Sequence, residues 1–327
     1  MEKKPKRRAI KVSVPGKIML AGEYAILKGG RSLSATVGAR LSLSISESSD
    51  FRVRSNLWPT DVIVPLTKST EPLIDSLQYA GNQFDIGQAL VEVRSDLPVS
   101  FGLGSSSAVR LAAHIGLKAF AEQTVALKEP TLWASARDAW MLQKEQQGFA
   151  SGYDLVTQLH GSFIAWQPDY ASWPGTIKRL DLDWLNEWVH PYAGGEGAPT
   201  TMVGGSVKEW LFAQDLWCDL KGISEDLIEA FLAKDFALII QANRAHRELF
   251  QKAPFYPSHL YKLLASIDGF DRSWTFKTTG AGGEDAILLI GHTSDLTEVN
   301  RLLQEKGWNR LDSPWSSEGC QLKWKDA

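Results

Sequence analysis

The chain has 327 residues, 44% hydrophobic and 22% charged, which excludes a long disordered protein and suits one large domain or two. Thirty-five Lys and Arg against 38 Asp and Glu leave a formal charge of −3, which argues against a chain whose main work is neutralising nucleic-acid phosphates. A small anion held by a few local cations stays open. No apolar run approaches the roughly 20 residues of a membrane span. The basic start, residues 3–8, passes into strand-like alternation without an apolar signal core. Two cysteines, Cys218 and Cys320, are too few for a disulfide framework or a four-cysteine zinc site. A cytoplasmic enzyme that binds neither nucleic acid nor membrane is expected.

In chain order, Ile10, Val12 and Val14 alternate with polar residues and predict a strand that Pro15-Gly16 turns. Residues 41–45 alternate in the same way, and 55–85 read as an irregular polar excursion. A strand is expected over 88–94, then a glycine and serine loop, then a helix over 108–121. Further helices are expected at 132–147 and 154–160, with a strand at 161–166. The glycine-rich stretch 193–205 marks the expected domain edge. Beyond it come helices near 205–214, 223–232, 235–250 and 257–267, strands at 273–277 and 285–290, and a helix at 296–305. Both element types occur in both halves without strict alternation, so the fold class is α+β, and no repeat of 20–50 residues indicates a solenoid.

Three loops carry the chemistry. In the first, Gly102-Leu103-Gly104-Ser105-Ser106-Ser107 opens a helix. Free N–H groups and the helix dipole there favour an anion such as phosphate. It lacks the Gly-Lys-Ser/Thr of a Walker loop, and taken alone it reads equally as a helix cap. The second, Pro15-Gly16-Lys17 through Gly22-Glu23-Tyr24, sets a lysine behind a turn with an apolar run after it, either a buried cation or a surface residue. The third, Gly280-Ala281-Gly282-Gly283, lies between two strands and suits close backbone approach to a ligand or a plain hairpin.

Together, Pro-Gly-Lys-x-x-Leu-x-Gly-Glu-Tyr, Gly-Leu-Gly-Ser-Ser and Gly-Ala-Gly-Gly resemble, in order, the three motifs of the GHMP kinases (galacto-, homoserine, mevalonate and phosphomevalonate kinases). The resemblance implies a two-domain fold. A ribosomal-protein-like N-terminal domain would span 1–190 and a ferredoxin-like C-terminal domain 191–327, with the active site in the cleft between them. It also implies ATP and Mg2+ as cofactors and a small-molecule substrate, in a monomer or homodimer. Residues Gly102, Leu103, Gly104, Ser105, Ser106 and Ser107 would wrap the ATP phosphates, with Ser106 on magnesium. Ser107 replaces the family's usual small apolar residue. Lys17 and Asp154 would form the catalytic pair, Asp154 standing in a Ser151-Gly152-Tyr153-Asp154 signature of the mevalonate branch. Glu145 is the second expected magnesium ligand, although Gln143 falls where that glutamate is usual. Gly22, Glu23, Tyr24, Ser151, Gly152, Lys277, Gly280, Ala281, Gly282 and Gly283 would line the acceptor.

Gly-Glu-Tyr in place of Gly-Glu-His, the form of the aspartate signature, and Asp285 after the third loop make the chain most like phosphomevalonate kinases, with mevalonate kinases next. Glu284 departs from a customary glycine. A phosphorylated acceptor would need cations among Lys17, Arg110, Arg244, Arg247 and Lys277, the arginines reading otherwise as solvated faces. A non-catalytic ligand sensor is the alternative from another class. The decarboxylase and galactose-kinase patterns are missing from the corresponding loops.

Overall fold

The computed structural model describes residues 9–56, 60–64, 69, 71–97, 102–194, 200–282, 286–312 and 315–325. Gly283, Glu284, Asp285, the basic start and residues 195–199 of the glycine-rich stretch at 193–205 lie outside the described residues. The strands are β1 (Ile10–Ala21), β2 (Ser32–Ser46), β3 (Phe51–Ser55), β4 (Val62–Ile63), β5 (Ala89–Ser95), β6 (Phe163–Pro168), β7 (Gly175–Leu180), β8 (Val189–Ala193), β9 (Trp274–Thr278), β10 (Ala286–Gly291), β11 (Asn309–Arg310), β12 (Trp315–Ser316) and β13 (Gln321–Trp324). The helices are α1 (Pro72–Gln83), α2 (Ser105–Glu122), α3 (Glu129–Gln147), α4 (Tyr153–His160), α5 (Asp183–Trp188), α6 (Thr200–Ala213), α7 (Trp217–Ala233), α8 (Phe236–Phe250), α9 (Ser258–Ala265) and α10 (Thr297–Glu305).

One sheet runs β13-β1-β2-β5-β3-β4, with β6 and β12 also on β2 and β7 on β6; the other runs β11-β8-β10-β9. The α+β reading holds. The chain enters the second sheet at β8, and residues 315–324 return to the first. Helix α2 lies against β1 and β2, and Gly116 permits the close approach: a Cβ there would meet Ile45 Cδ1 at 2.7 Å and Val12 Cγ2 at 3.0 Å. Strand β10 shows why the sheets share an interior. Its Leu288 and Ile290 join the larger core, while Ile287 and Leu289 face Leu260, Leu264, Val299 and Leu303 of α9 and α10, the alternation a strand dictates.

Two expectations are corrected. The chain does not turn at Pro15-Gly16: β1 continues, with a register shift between Pro15 and Lys17. A bulge absorbs the irregularity, and Gly16 is needed because a Cβ would lie 2.7 Å from Leu97 and from Val37. The excursion at 55–85 contains α1, capped by the Glu71 carboxylate accepting from the Ile74 N–H at 2.7 Å, with Pro72 at its start. Buried Leu73, Ile74, Leu77 and Ala80 are its core stripe.

The two sheets are joined by an ion pair inside the protein: Lys277 of β9 donates to the Glu23 carboxylate, with side chains 1% and 4% exposed. The Lys277 ammonium also donates to the Thr278 carbonyl at 2.9 Å. A buried charge is tolerated only when so partnered. Lys277→Met should therefore cost about 3–5 kcal/mol of unfolding free energy, measured by urea denaturation, with the Glu23→Gln/Lys277→Met pair less damaging than Lys277→Met alone.

Two buried imidazoles make folding acid-sensitive. His190 accepts from Arg310 at 2.8 Å through Nδ1 and lies 3.2 Å from the Glu187 and Gly291 carbonyls through Nε2, an arrangement for the neutral ring. Burial, then the Arg310 charge, holds its pKa down to about 4, and burial with Lys277 and Arg247 nearby holds His246 at about 3. Unfolded imidazoles take protons below about 6.5, so this stability is complete above that pH and is lost as pH falls toward 4. Between about pH 7.5 and 5 the loss should be roughly 2 kcal/mol per imidazole, read from urea midpoints at the two pH values; His246→Gln should flatten the dependence.

Candidate active site

The β1 bulge aims Lys17 at the start of α2. Its backbone N–H donates to the Leu103 carbonyl at 2.9 Å. Its ammonium donates to the Gly102 carbonyl at 3.1 Å and to the Tyr153 hydroxyl at 2.7 Å, and lies 4.9 Å from that ring's centre. Gly104 must be glycine: it has φ +76°, and a Cβ would lie 2.6 Å from Lys17 Cε. Its carbonyl accepts from the Ser107 hydroxyl at 2.8 Å and from Gln158 Nε2 of α4 at 3.0 Å. Ser107 is thus a buried brace, which accounts for a hydroxyl where a small apolar side chain is usual. Leu103 is buried and anchors the loop in the core. Ser105 and Ser106 are half-buried at the helix mouth, where the first-turn N–H groups lack intrahelical acceptors.

Asp154 lies in the first turn of α4, 8% exposed. Its carboxylate accepts from Gln143 Nε2 at 3.2 Å and from the Leu155 N–H at 3.0 Å. The preceding segment is bracketed by aromatic rings: Trp140 Nε1 donates to the Ala150 carbonyl at 2.9 Å and the Tyr170 hydroxyl to the Ser151 carbonyl at 3.0 Å. Gly152 has φ +83°, and a Cβ would lie 2.8 Å from Trp173 and 3.0 Å from Trp140. Only glycine passes between these rings.

Burial pulls the Lys17 ammonium below the ordinary lysine value, while Asp154 and Glu23 pull the other way. Burial, with Asp154 and Glu23 adding to it, raises the Tyr153 phenol, which therefore stays neutral and accepts from Lys17. Arg110 of α2 is also buried; desolvation lowers it and the Asp154 charge opposes this. It donates to the Gln146 amide oxygen, while its Nε and Nη1 are buried without partners. Two cations therefore stand within electrostatic reach of Asp154.

The other expected residues divide. Gly22, with φ +100°, lets β1 pass so close to Arg31 that a Cβ would lie 2.3 Å from its carbonyl oxygen. Tyr24 donates to the Ala281 carbonyl at 2.5 Å and Thr279 to the Met19 carbonyl at 2.7 Å, seating Gly280, Ala281 and Gly282 against the second loop. Lys277 is neutralised by Glu23 rather than presented to an acceptor. Arg247 does not have the solvated face expected of it: it is buried, paired with Asp271 and set against Phe270 at 4.8 Å. Arg244 is about half exposed and lies 3.5 Å from the same carboxylate.

Glu145 is exposed on α3, two residues beyond Gln143 and so about 200° around the helix, turned from Asp154. Gln143 fills that place. Sequence reasoning missed Tyr153 and Gln158 as neighbours of the reactive groups, and singled out Gln143 only as the residue standing where a glutamate is usual. Gln158 stands four residues after Asp154, one helical turn, and was open to discovery; the bond of Tyr153 to Lys17 joins distant segments and left no signal.

Residues 72–162 match the family model described as the GHMP kinases N terminal domain. The mevalonate kinase of Archaeoglobus fulgidus is 29% identical over 154 residues, 46% of this chain and 51% of that enzyme, so this match spans about half the length of the relative. The mevalonate kinase of Methanothermobacter thermautotrophicus is 24% identical over 94% of this chain and 98% of its own. A solved Streptococcus pneumoniae phosphomevalonate kinase, in complex with phosphomevalonate and AMPPNP, superposes with a TM-score of 0.71 at 17% identity, covering 92% of this chain and 99% of that one, a likeness of fold. Residues 72–162 thus match a GHMP kinase N-terminal domain, and over most of its length the chain is similar to mevalonate kinases in sequence and to a phosphomevalonate kinase in fold.

Proposed function

We propose that the protein transfers the terminal phosphoryl group of ATP to phosphomevalonate, in a cleft between domains at 1–190 and 191–327. The observation that carries this reading is the convergence of Lys17, the α2 N-terminus and Asp154, with Arg110 as a second buried cation whose unpartnered donors suit a phosphorylated acceptor. An acceptor phosphate oxygen attacks the γ-phosphorus, the bond to the bridging oxygen of ADP breaks, and diphosphomevalonate forms. An ionised phosphate oxygen needs no base, so Asp154 orients the acceptor while Lys17 offsets charge on the transferring group. Most of the rate comes from alignment, because this reaction leaves the protein little covalent work.

The donors suit magnesium without forming a cage. The Ser106 hydroxyl and the Asp154 carboxylate are hard oxygens, and among the described residues no cluster of three His, Cys, Asp or Glu could hold a metal unaided. When bound on nucleotide phosphates, magnesium supplies charge neutralisation. Glu145 is no part of this set. Among the described residues no helix is long and apolar enough to cross a membrane.

A second reading, phosphorylation of the mevalonate hydroxyl, is favoured by the Glu23–Lys277 pair, which removes one cation a phosphorylated acceptor would use. Asp154 would then accept the hydroxyl proton. A coupled ADP-release assay with mevalonate, phosphomevalonate and galactose separates the readings. Phosphomevalonate should be the preferred acceptor; preference for mevalonate establishes the second, and no turnover with any acceptor a ligand sensor. Asp154→Asn and Lys17→Ala should each slow turnover at least ~100-fold with folding intact, about 2.7 kcal/mol in the barrier. Near-parental turnover removes that residue from the mechanism.

A further inference from the structure

A cavity of about 640 Å³ opens beside the 148–150 segment that leads into Ser151 and Asp154, yet none of Lys17, Glu23, Asp154 or residues 102–107 lines it. Its walls are apolar and aromatic: Trp140, Phe149, Tyr170, Phe212 and Trp217. Phe212 is 75% exposed, an unusual position for a large apolar side chain. The volume falls in the range of about 300–1,000 Å³ that holds small organic ligands.

The charges in these walls are arranged. Lys28 lies over Trp217 at 5.2 Å, Lys144 over Trp140 at 5.2 Å and Lys208 over Phe149 at 4.5 Å. Each ammonium rests on the face of a ring that also lines the cavity. A ring face attracts the cation without consuming its N–H donors, so the donors remain available to an anion. Against these three lysines the described lining contains a single carboxylate, Glu209. The lysines also come from separate elements: Lys28 from the turn after Tyr24, Lys144 from α3 and Lys208 from α6.

We propose that this cavity is a binding site for a small anionic amphiphile, an organic acid or phosphate ester with an apolar body. The head is held by the three ammonium groups and the body lies against the rings. Phosphomevalonate, which is polar along its length, lacks such a body, so the site is distinct from that of the proposed reaction. The inference does not need the kinase reading.

Titration calorimetry of the full chain with octyl phosphate, octanoate, octanol and inorganic phosphate tests it. At least one of the two acids should bind at least ~10-fold tighter than octanol and ~100-fold tighter than inorganic phosphate, the better acid identifying the head. A Lys28→Ala/Lys144→Ala/Lys208→Ala variant, shown folded by its thermal transition, should lose at least ~10-fold in affinity, and Asp154→Asn should bind as the parent does. Equal affinity for octanol, or undiminished affinity in the triple variant, overturns the proposal. So does displacement by ATP, which would put the ligand in the reaction cleft. Capture by phosphatidylglycerol vesicles without binding of either free acid overturns it in favour of a membrane surface.

Discussion

The Glu23–Lys277 pair is the constraint on which the site's geometry depends. It fastens the second glycine loop to β9, whose end leads into the third loop, so two of the three motif loops are positioned by one buried contact. Removing water from both charges is costly and their mutual contact, with the Thr278 carbonyl on the ammonium, offsets it, so the pair holds the segments in one relation rather than a range. Tyr24 to Ala281 and Thr279 to Met19 extend the same seam with neutral hydrogen bonds. The first motif loop, at the mouth of α2, is fixed separately, by Lys17 and Gln158.

Lys17 also explains why Gly104 and Tyr153 are what they are. The lysine stem occupies the space a Cβ on Gly104 would need, and the neutral phenol of Tyr153 gives the ammonium an acceptor inside the protein. Burial lowers the ammonium's proton affinity, and the Asp154 and Glu23 carboxylates oppose that lowering. An arriving polyanion would add to the pull of Asp154 and Glu23.

Much of this was legible in the sequence. The alternating strands of the first sheet and the apolar stripe of α2 carry strong local periodicity, and two of the three loops contain glycines that the backbone demands, Gly22 and Gly104, as does the aspartate signature at Gly152. What escaped depends on contacts between distant segments. Pro15-Gly16 has the composition of a turn, yet pairing with β2 at Pro15 and again at Lys17 keeps it in a strand. Helix α1 was hidden because its polar surroundings masked a short core stripe. Glu145 has the right chemistry for a metal ligand, but helix phase gives its place to Gln143. The burial of Arg247 in an aromatic box has no local signature at all.

The pairing of Ile10 with Trp324 has a kinetic consequence. The outer edge of the strand that carries Lys17 is closed by residues that leave the ribosome more than 300 positions later. Until then that edge presents unpaired amides to solvent, and contacts so remote in sequence form slowly. The strand that carries Lys17 is thus among the earliest parts made and among the last completed, and a nascent chain of this protein has reason to meet a chaperone before its first sheet is closed.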